Sequence, residues 1–246
     1  STGAITYPLP GTADIESISA LDANIYVVAT WPERPETLLR LAPDGTVTEL
    51  VAGAALPAAV TPTTRWATGE AGPIQSFFYA PPQQVRPPLL VMTHGGPTGA
   101  PDAAYDRQVQ FWVSRGFAVL DVNYSGSTGF GRDYRDRLKG RWGLLDVSDV
   151  IAAVREVTGA GDADPDRVAI TGGSAGGYTT LQALVTSDVF AAGMSSYGIA
   201  DLRTLATDTH KAESRYTDSL VGPWPEAEQS YLERSPITQL DNLSTP

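Results

Sequence analysis

The chain has 246 residues, of which 42% are hydrophobic and 18% are charged. Its 17 Lys and Arg stand against 28 Asp and Glu, a formal charge of −11, so we expect no nucleic-acid partner. There is no cysteine, which excludes disulfides and thiolate chemistry, and the only histidines are His94 and His210, which argues against a multi-histidine metal site.

Nothing in the chain indicates a membrane partner. No apolar run reaches the roughly 18 residues that a membrane span needs, and the first residues, STGAITYPLP, lack the charged and apolar regions of a signal peptide. The length suffices for one or two domains with a sizeable core. We therefore expect a soluble globular protein, located in the cytoplasm.

Residues 1–55 form a first unit that is rich in β-strand signals. Turn signals in LDAN and APDG separate short runs of Ile, Val, Leu, Tyr and Thr. The predicted strands are Asp14 to Ala20, Asn24 to Thr30, Glu36 to Leu41 and Thr46 to Val51. Four such strands make either one blade of a β-propeller or a small β subdomain packed on the rest, and no second copy decides between them.

Residues 56–246 form a second unit in which strands alternate with helices. An Ala- and Pro-rich linker and the strands TTRWAT and IQSFFYA come first, and the alternation begins at Leu89. The predicted strands are PLLVMT, FAVLDV, RVAIT and FAAGMSSY, and the predicted helices are 103–115, DVSDVIAAVREV and YTTLQALVTS. This order predicts an α/β fold with a parallel sheet covered on both faces.

The residues that could take part in catalysis or ligand binding follow the ends of these strands. Ligands of open α/β sheets bind outside the carboxyl ends of the strands. After RVAIT comes GGSAGG, in which Gly172 to Gly176 match the G-x-S-x-G nucleophile elbow around Ser174. The alternative is a glycine-rich turn without catalysis, but its position between strand and helix favours the elbow.

Two further loops border the predicted site. After PLLVMT comes His94-Gly95-Gly96-Pro97, which matches an oxyanion loop whose glycine amides approach a substrate carbonyl. We expect His94 to orient this loop rather than to transfer protons. The segment 123–136 lacks the signatures of phosphate and dinucleotide loops, and we expect it to shape the rim of the site.

The general base of the nucleophile is not evident. In α/β-hydrolases the order along the chain is Ser, then Asp or Glu, then His. Only His210 follows Ser174, and no predicted strand precedes His210 to present it at the edge of the sheet. We therefore expect a surface or pocket-lining role for His210.

Taken together, the motifs resemble those of the prolyl oligopeptidase family of serine peptidases, in its acylaminoacyl-peptidase and dipeptidyl-aminopeptidase branch. The resemblance covers about residues 60–246 and rests on HGGPTG, NYSGSTGFGRDYRDRLKGRWGLLDVSDV, ITGGSAGGYTTLQAL, YGIADL, THKAESRY and ERSPI. The family places a β-propeller before its hydrolase domain, so the resemblance favours the last blade of a propeller for residues 1–55.

The resemblance also implies roles for individual residues. Ser174 would be the acylated nucleophile, and the amides of Ala175 and of Gly95 or Gly96 would form the oxyanion hole. Tyr178, Ile199 and Leu202 would lie near the pocket for the side chain before the scissile bond. The implied substrate is a short peptide, and neither a metal nor another cofactor is implied.

The chain departs from the family pattern in one respect. In the family, a segment like LDNLSTP leads into another strand, a loop with the catalytic Asp and a later loop with the His, whereas this sequence stops at Pro246 and Asp241 precedes that strand. We therefore expect an α/β-hydrolase fold that is truncated in its C-terminal part. The expected partner is the remainder of the same enzyme, as a separate chain. An esterase or thioesterase with the same elbow, and a non-catalytic interaction module, are the alternatives.

Overall fold

The computed structural model describes residues 8–56, 59–208 and 215–245, which contain two separate β-sheets. The first sheet is an antiparallel meander in the order β1-β2-β3-β4. Its strands are β1 (Asp14–Leu21), β2 (Asn24–Trp31), β3 (Arg34–Leu41) and β4 (Val47–Ala52). Asp22 and Ala23, which join β1 to β2, both have positive φ, as a two-residue hairpin turn of type I′ requires. The four predicted strands are thus confirmed.

The second sheet has six strands in the order β10-β9-β7-β8-β6-β5. Its strands are β5 (Thr63–Gly69), β6 (Gly72–Tyr79), β7 (Leu89–Thr93), β8 (Ala118–Asn123), β9 (Val168–Gly173) and β10 (Ala192–Ser196). The pairs β8-β7, β7-β9 and β9-β10 are parallel, whereas β6 pairs antiparallel with both β5 and β8. The predicted parallel sheet is therefore confirmed, and an antiparallel hairpin extends it on one side.

Helices cover both faces of this sheet in the described part of the chain. They are α1 (Arg107–Val113), α2 (Arg132–Asp136), α3 (Leu145–Gly159), α4 (Ala175–Thr186), α5 (Leu202–Asp208), α6 (Tyr216–Leu220), α7 (Glu228–Glu233) and a 3₁₀ helix, Pro236–Asn242. On β7, the side chains of Leu89 and Val91 belong to the core beneath α3 and α4, whereas Leu90 packs with Val109 and Val113 of α1. Apolar residues on both sides of one strand are the reason that β7 is a continuous hydrophobic run.

The predicted helix 103–115 is shorter than expected, because its start is set by a capping side chain. The Asp106 carboxylate accepts a hydrogen bond from Val109 N–H over 2.9 Å, so the helix begins at Arg107. Its end agrees with the prediction, since Gly116 has a φ of +86° three residues after Val113. No helix among the described residues is long and apolar enough to cross a bilayer.

Candidate active site

Ser174 lies on a sharp turn between the last residue of β9 and the first residue of α4. Its φ of 55° and ψ of −121° cost a non-glycine residue on the order of 1–3 kcal/mol. Ser174 N–H donates to Ser196 O over 3.1 Å, and Tyr178 N–H donates to Ser174 O over 3.0 Å, so backbone bonds hold the strained turn. Because the residue is exposed, the turn presents the hydroxyl at the carboxyl end of the sheet.

The elbow needs glycines around Ser174 because it packs directly on the end of β7. A Cβ on Gly172 would collide with Thr93 Oγ1 and lie 2.5 Å from the backbone of Gly176. A Cβ on Gly176 would overlap the Thr93 carbonyl and lie 2.8 Å from His94 O. This close approach brings the residues after β7 next to the nucleophile.

Backbone N–H groups border Ser174 from two directions. Ala175 is the first residue of α4, so its N–H has no acceptor within the helix. Gly95 lies against the elbow, since a Cβ built on it would be 3.8 Å from Ser174 Cβ. Gly96 lines the same cavity as Ser174 and Ala175. The structure thus gathers the four residues that the motifs assign to the nucleophile and the oxyanion hole.

The His94 side chain is bound within its own loop. Nδ1 is 2.8 Å from Gly95 O and Nε2 is 2.8 Å from Ser127 Oγ. The ring stacks on Tyr124 at 4.1 Å, and the Tyr124 hydroxyl donates to His94 O over 2.8 Å. Burial of the ring lowers the pKa of His94 to about 4, although the bond to Gly95 opposes this shift. These contacts fit a histidine that orients the loop.

A small cavity of about 60 Å³ opens beside the nucleophile. Its walls come from the elbow, the oxyanion loop, helices α5 and α6, the segment between α2 and α3, and the segment between β10 and α5. The lining residues are Gly96, Trp142, Ser174, Ala175, Ile199, Leu205, Tyr216 and Thr217. Tyr216 also ties this wall to the oxyanion loop, because its hydroxyl is 2.8 Å from Thr98 Oγ1.

Of the three residues assigned to the pocket, only Ile199 lines this cavity. Tyr178 has no exposed surface: its ring packs 4.5 Å from that of Trp142 and its hydroxyl donates to Arg234 O over 2.8 Å. Leu202 is also fully buried, in the core beneath the cavity. Tyr178 and Leu202 therefore support the cavity from behind.

Sequence reasoning missed Trp142 and Tyr216, because no pattern along the chain indicates that they meet at the elbow. Both stand in segments that carry the family resemblance, RWGLLD and THKAESRY, and this is the only signal that could have drawn attention to them. Their proximity is a consequence of the fold.

Two buried aspartates brace the site, which sequence reasoning also missed. Asp146 accepts from Gly143 N–H over 2.6 Å and from Thr179 Oγ1 over 2.7 Å, so it links the turn after Trp142 to α4. Burial raises the pKa of Asp146 to about 6, and both hydrogen bonds oppose the rise. Asp149 accepts from Ser125 N–H over 2.8 Å. Both lie on α3, where the sequence pattern emphasises Val147, Val150 and Val154.

The described residues provide no general base for Ser174. Within residues 8–56, 59–208 and 215–245, no side chain forms a hydrogen bond with Ser174 Oγ, and His94 is engaged by its own loop. His210, for which the sequence predicts a surface or pocket-lining role, lies outside the described residues. Over the same ranges, no group of three or more acidic or histidine side chains is arranged to hold a metal ion.

Comparisons with known proteins point to one family. The sequence profile of the prolyl oligopeptidase family matches residues 103–246. Dipeptidyl aminopeptidase BIII of Pseudoxanthomonas mexicana is 38% identical over 165 residues, which is 65% of this chain and 24% of that protein.

Solved structures agree with this family in fold. A puromycin-hydrolyzing peptidase of Mycobacterium tuberculosis superimposes with a TM-score of 0.87 and 40% identity, over 94% of this chain and 38% of that one. The acylaminoacyl peptidase of Pyrococcus horikoshii gives a TM-score of 0.84 and 26% identity, over 96% of this chain and 39% of that one. The chain therefore spans about a quarter of the curated relative and less than two fifths of the solved chains.

Proposed function

The chain belongs to the prolyl oligopeptidase family, and we propose that it is the nucleophile-bearing part of a serine peptidase that hydrolyses short peptides. One observation carries the proposal: Ser174 is exposed on a strained elbow with Ala175 and Gly96 at the same cavity. A non-catalytic interaction module has no need for such strain, since a conformation of this kind persists only where the surrounding structure maintains it.

The proposed reaction proceeds through an acyl-enzyme on Ser174. The Ser174 hydroxyl attacks the scissile carbonyl while a base takes its proton, and a tetrahedral intermediate with a negative oxygen forms. The base then gives the proton to the amine that leaves. Water, activated by the same base, releases the acyl group and regenerates the hydroxyl.

Backbone amides stabilise the negative oxygen in this proposal. The Ala175 N–H, unpaired at the start of α4, supplies one donor, and the glycine pair after His94 supplies the other. Loss of one such donor in a serine peptidase typically lowers kcat by about 10²–10³-fold.

We propose that the proton acceptor is a histidine outside the described residues. His94 is excluded on geometry, because both ring nitrogens are engaged within the loop. It comes from the remainder of the same enzyme, in the same or a separate chain, because no predicted strand presents His210 at the edge of the sheet. Crosslinking or a structure of the natural full-length protein with a bound inhibitor locates this histidine.

The proposed substrates are short peptides, of the aminopeptidase, dipeptidyl or acylaminoacyl type. The names of the relatives support this class, and Ile199, Leu205 and Trp142 supply apolar walls that favour an uncharged side chain before the scissile bond. No observation favours an esterase or thioesterase over a peptidase.

We also propose that the first sheet is a propeller blade, with a domain boundary near residue 55. Its outer strands support this, since Ile18 on β1 and Val51 on β4 are 69% and 63% exposed, as expected of a blade that packs between others. The cytoplasm is the proposed compartment, because a chain without cysteine has no disulfide that needs an oxidising one.

The test uses the natural full-length protein and a fluorophosphonate probe. We expect the probe to label Ser174, and Ser174→Ala to abolish labelling and lower the hydrolysis of aminoacyl arylamides by at least ~10⁴-fold. Ser187→Ala, at the other end of α4, is the control and should retain both. Full turnover by Ser174→Ala would refute the assignment, and turnover of simple esters without any turnover of aminoacyl arylamides or peptides would refute peptidase action.

A further inference from the structure

The turn 124–127 contacts the His94 ring through the side chain of Ser127. The Ser127 side chain has no exposed surface, and its Oγ is 2.8 Å from His94 Nε2 and 2.7 Å from Tyr124 O. On the other side of the ring, Nδ1 is 2.8 Å from Gly95 O. The ring therefore links the 124–127 turn to the loop that borders the nucleophile.

The donors in this chain of contacts follow from counting protons. Gly95 O is a carbonyl oxygen and can only accept, so Nδ1 must carry a hydrogen. With the ring neutral, Nε2 then has no hydrogen and must accept, which makes the Ser127 hydroxyl its donor. The same hydroxyl is also placed to donate to Tyr124 O over 2.7 Å, so its one hydrogen has two possible acceptors. Tyr124 O has a second donor in Ser127 N–H over 3.0 Å, whereas His94 Nε2 has only the Ser127 hydroxyl, which favours donation to Nε2.

The bond to Gly95 O fixes the direction of the next amide. The peptide between Gly95 and Gly96 is planar and trans, so its C=O and N–H point in opposite directions. The C=O is held toward the His94 ring, which turns the Gly96 N–H to the opposite side. Gly96 lines the cavity that contains Ser174, where the negative oxygen develops in the proposed reaction.

We propose that Ser127 is a positioning residue of the reaction: its hydroxyl holds His94, and His94 holds the Gly95–Gly96 peptide so that Gly96 N–H faces the oxyanion. The inference rests on the proposed function and adds to it a residue that never touches the substrate.

The competing arrangement makes Ser127 purely structural. If its hydroxyl donated to Tyr124 O instead, a neutral His94 would need its hydrogen on Nε2 to bond Ser127 Oγ. Nδ1 and Gly95 O would then face each other without a hydrogen between them. The two arrangements differ in which ring nitrogen carries the proton, which can be measured.

The first experiment is ¹⁵N nuclear magnetic resonance of the chain labelled at histidine. With only two histidines, His94 is assigned by the signal lost in His94→Gln. We expect a hydrogen on Nδ1 and none on Nε2 at neutral pH, and a shift of the Nε2 resonance in Ser127→Ala. A hydrogen on Nε2, or an Nε2 resonance unmoved by Ser127→Ala, would overturn the proposal without any activity measurement.

The second experiment measures peptide hydrolysis by the natural full-length protein. We expect Ser127→Ala to lower kcat by about 10–100-fold, less than or comparable to the loss of one oxyanion donor, with KM changed less than about 3-fold. Ser125→Ala is the matched control: this serine is also buried in the turn, and its hydroxyl forms no hydrogen bond with His94. We expect its kcat to stay within about 2-fold of wild type.

The outcomes separate the two proposals. Equal effects of Ser127→Ala and Ser125→Ala, or a Ser127→Ala effect confined to KM, would overturn the positioning role while the peptidase assignment stands. A wild-type protein that neither hydrolyses peptides nor reacts at Ser174 would overturn the proposed function and the role of Ser127 with it.

Discussion

Asp121, on β8, is a half-buried carboxylate on the largely apolar face of the sheet that packs against α1. Strand alternation puts it on the same face as Val119, which packs with Val109 of α1. Burial, together with the charges of Asp106 and Asp102, raises the pKa of Asp121 to about 7. Since the pKa in the unfolded chain is near 3.8, the folded state binds this proton more tightly. Asp121 therefore lowers the free energy of unfolding progressively as the pH rises from about 4 to about 7. Above that range the decrease has reached its full size.

We expect Asp121→Asn to be more stable than wild type at pH 8 and to lose that advantage toward pH 4. Asn has nearly the same shape and does not ionise, so only the cost of the buried charge is removed. A gain on the order of 1 kcal/mol would raise Tm by roughly 2–4 °C in a chain of this size. Thermal unfolding at both pH values measures it, and a Tm difference that does not depend on pH would contradict the cause.

For single residues, the sequence predicts the elbow glycines and the nucleophile. It does not predict which side chains from distant parts of the chain contact each other. Ser174 follows from the residues on either side of it, because the elbow is a local steric requirement. Tyr178 is next to the elbow along the chain, yet its ring points into the core, where its hydroxyl finds Arg234 O. The direction of a helical side chain depends on what packs against the helix.

Helix α4 and strand β7 are the elements whose contact builds the site. Gly176, in the first turn of α4, is closest to the strand end, where an added Cβ would meet the carbonyls of Thr93 and His94. Both are backbone atoms of the oxyanion loop and its strand. A displacement of α4 therefore moves Ser174 and its amide donors apart.

We expect Gly176→Ala to destabilise the chain by about 1–3 kcal/mol, the usual cost of overpacking, and to slow fluorophosphonate labelling of Ser174. Gly159→Ala is the control within a helix, because no atom lies within 4 Å of the added Cβ at the end of α3. It should be neutral or stabilising by about 0.4–1 kcal/mol. Urea unfolding compares the two, and similar values for both variants would show that the close approach to β7 is not what requires glycine.

The order and type of the elements are predictable from the sequence, and some of their functional detail is not. On α3 the valines mark the buried face, as the spacing predicts, and Val150 and Val154 are indeed buried. Asp146 and Asp149 are fully buried on the same helix. A hydropathy pattern assigns carboxylates to solvent, so it misses those whose donors come from distant residues such as Thr179.

At the scale of the whole molecule, Tyr105 connects the first sheet to the segment before α1. Its N–H donates to Trp31 O over 2.9 Å, at the end of β2, and its hydroxyl accepts from Leu56 N–H over 2.7 Å. Tyr105 is 7% exposed, so these bonds are shielded from water. Tyr105, just before α1, thus binds the first sheet through its backbone and the segment that leaves that sheet through its side chain.

We expect Tyr105→Phe to speed hydrogen exchange of the Leu56 amide at least about 5-fold, since a lost hydrogen bond costs about 1 kcal/mol, while amides of β7 and β9 stay protected. Tyr231→Phe is the control: its hydroxyl donates to Gly222 O over 2.8 Å, entirely within the second unit. Both variants lose one buried hydroxyl, but only the first should expose Leu56. Unchanged exchange at Leu56 would show that the Tyr105 hydroxyl does not protect the start of the segment that leaves the first sheet.

The sequence by itself determined the parts of this protein that depend on neighbours along the chain. These are the two runs of strands, the strand-helix alternation, the elbow at Ser174 and the glycine loop after His94. Short-range sterics and periodicity control all of them, and they are readable one segment at a time. Only the tertiary structure decided what meets at the site: the cavity wall from Trp142 and Tyr216, the burial of Tyr178 and Leu202, and the contact of Ser127 with His94. Those contacts join residues far apart in the chain, and packing of the whole sheet with its helices decides which of them form.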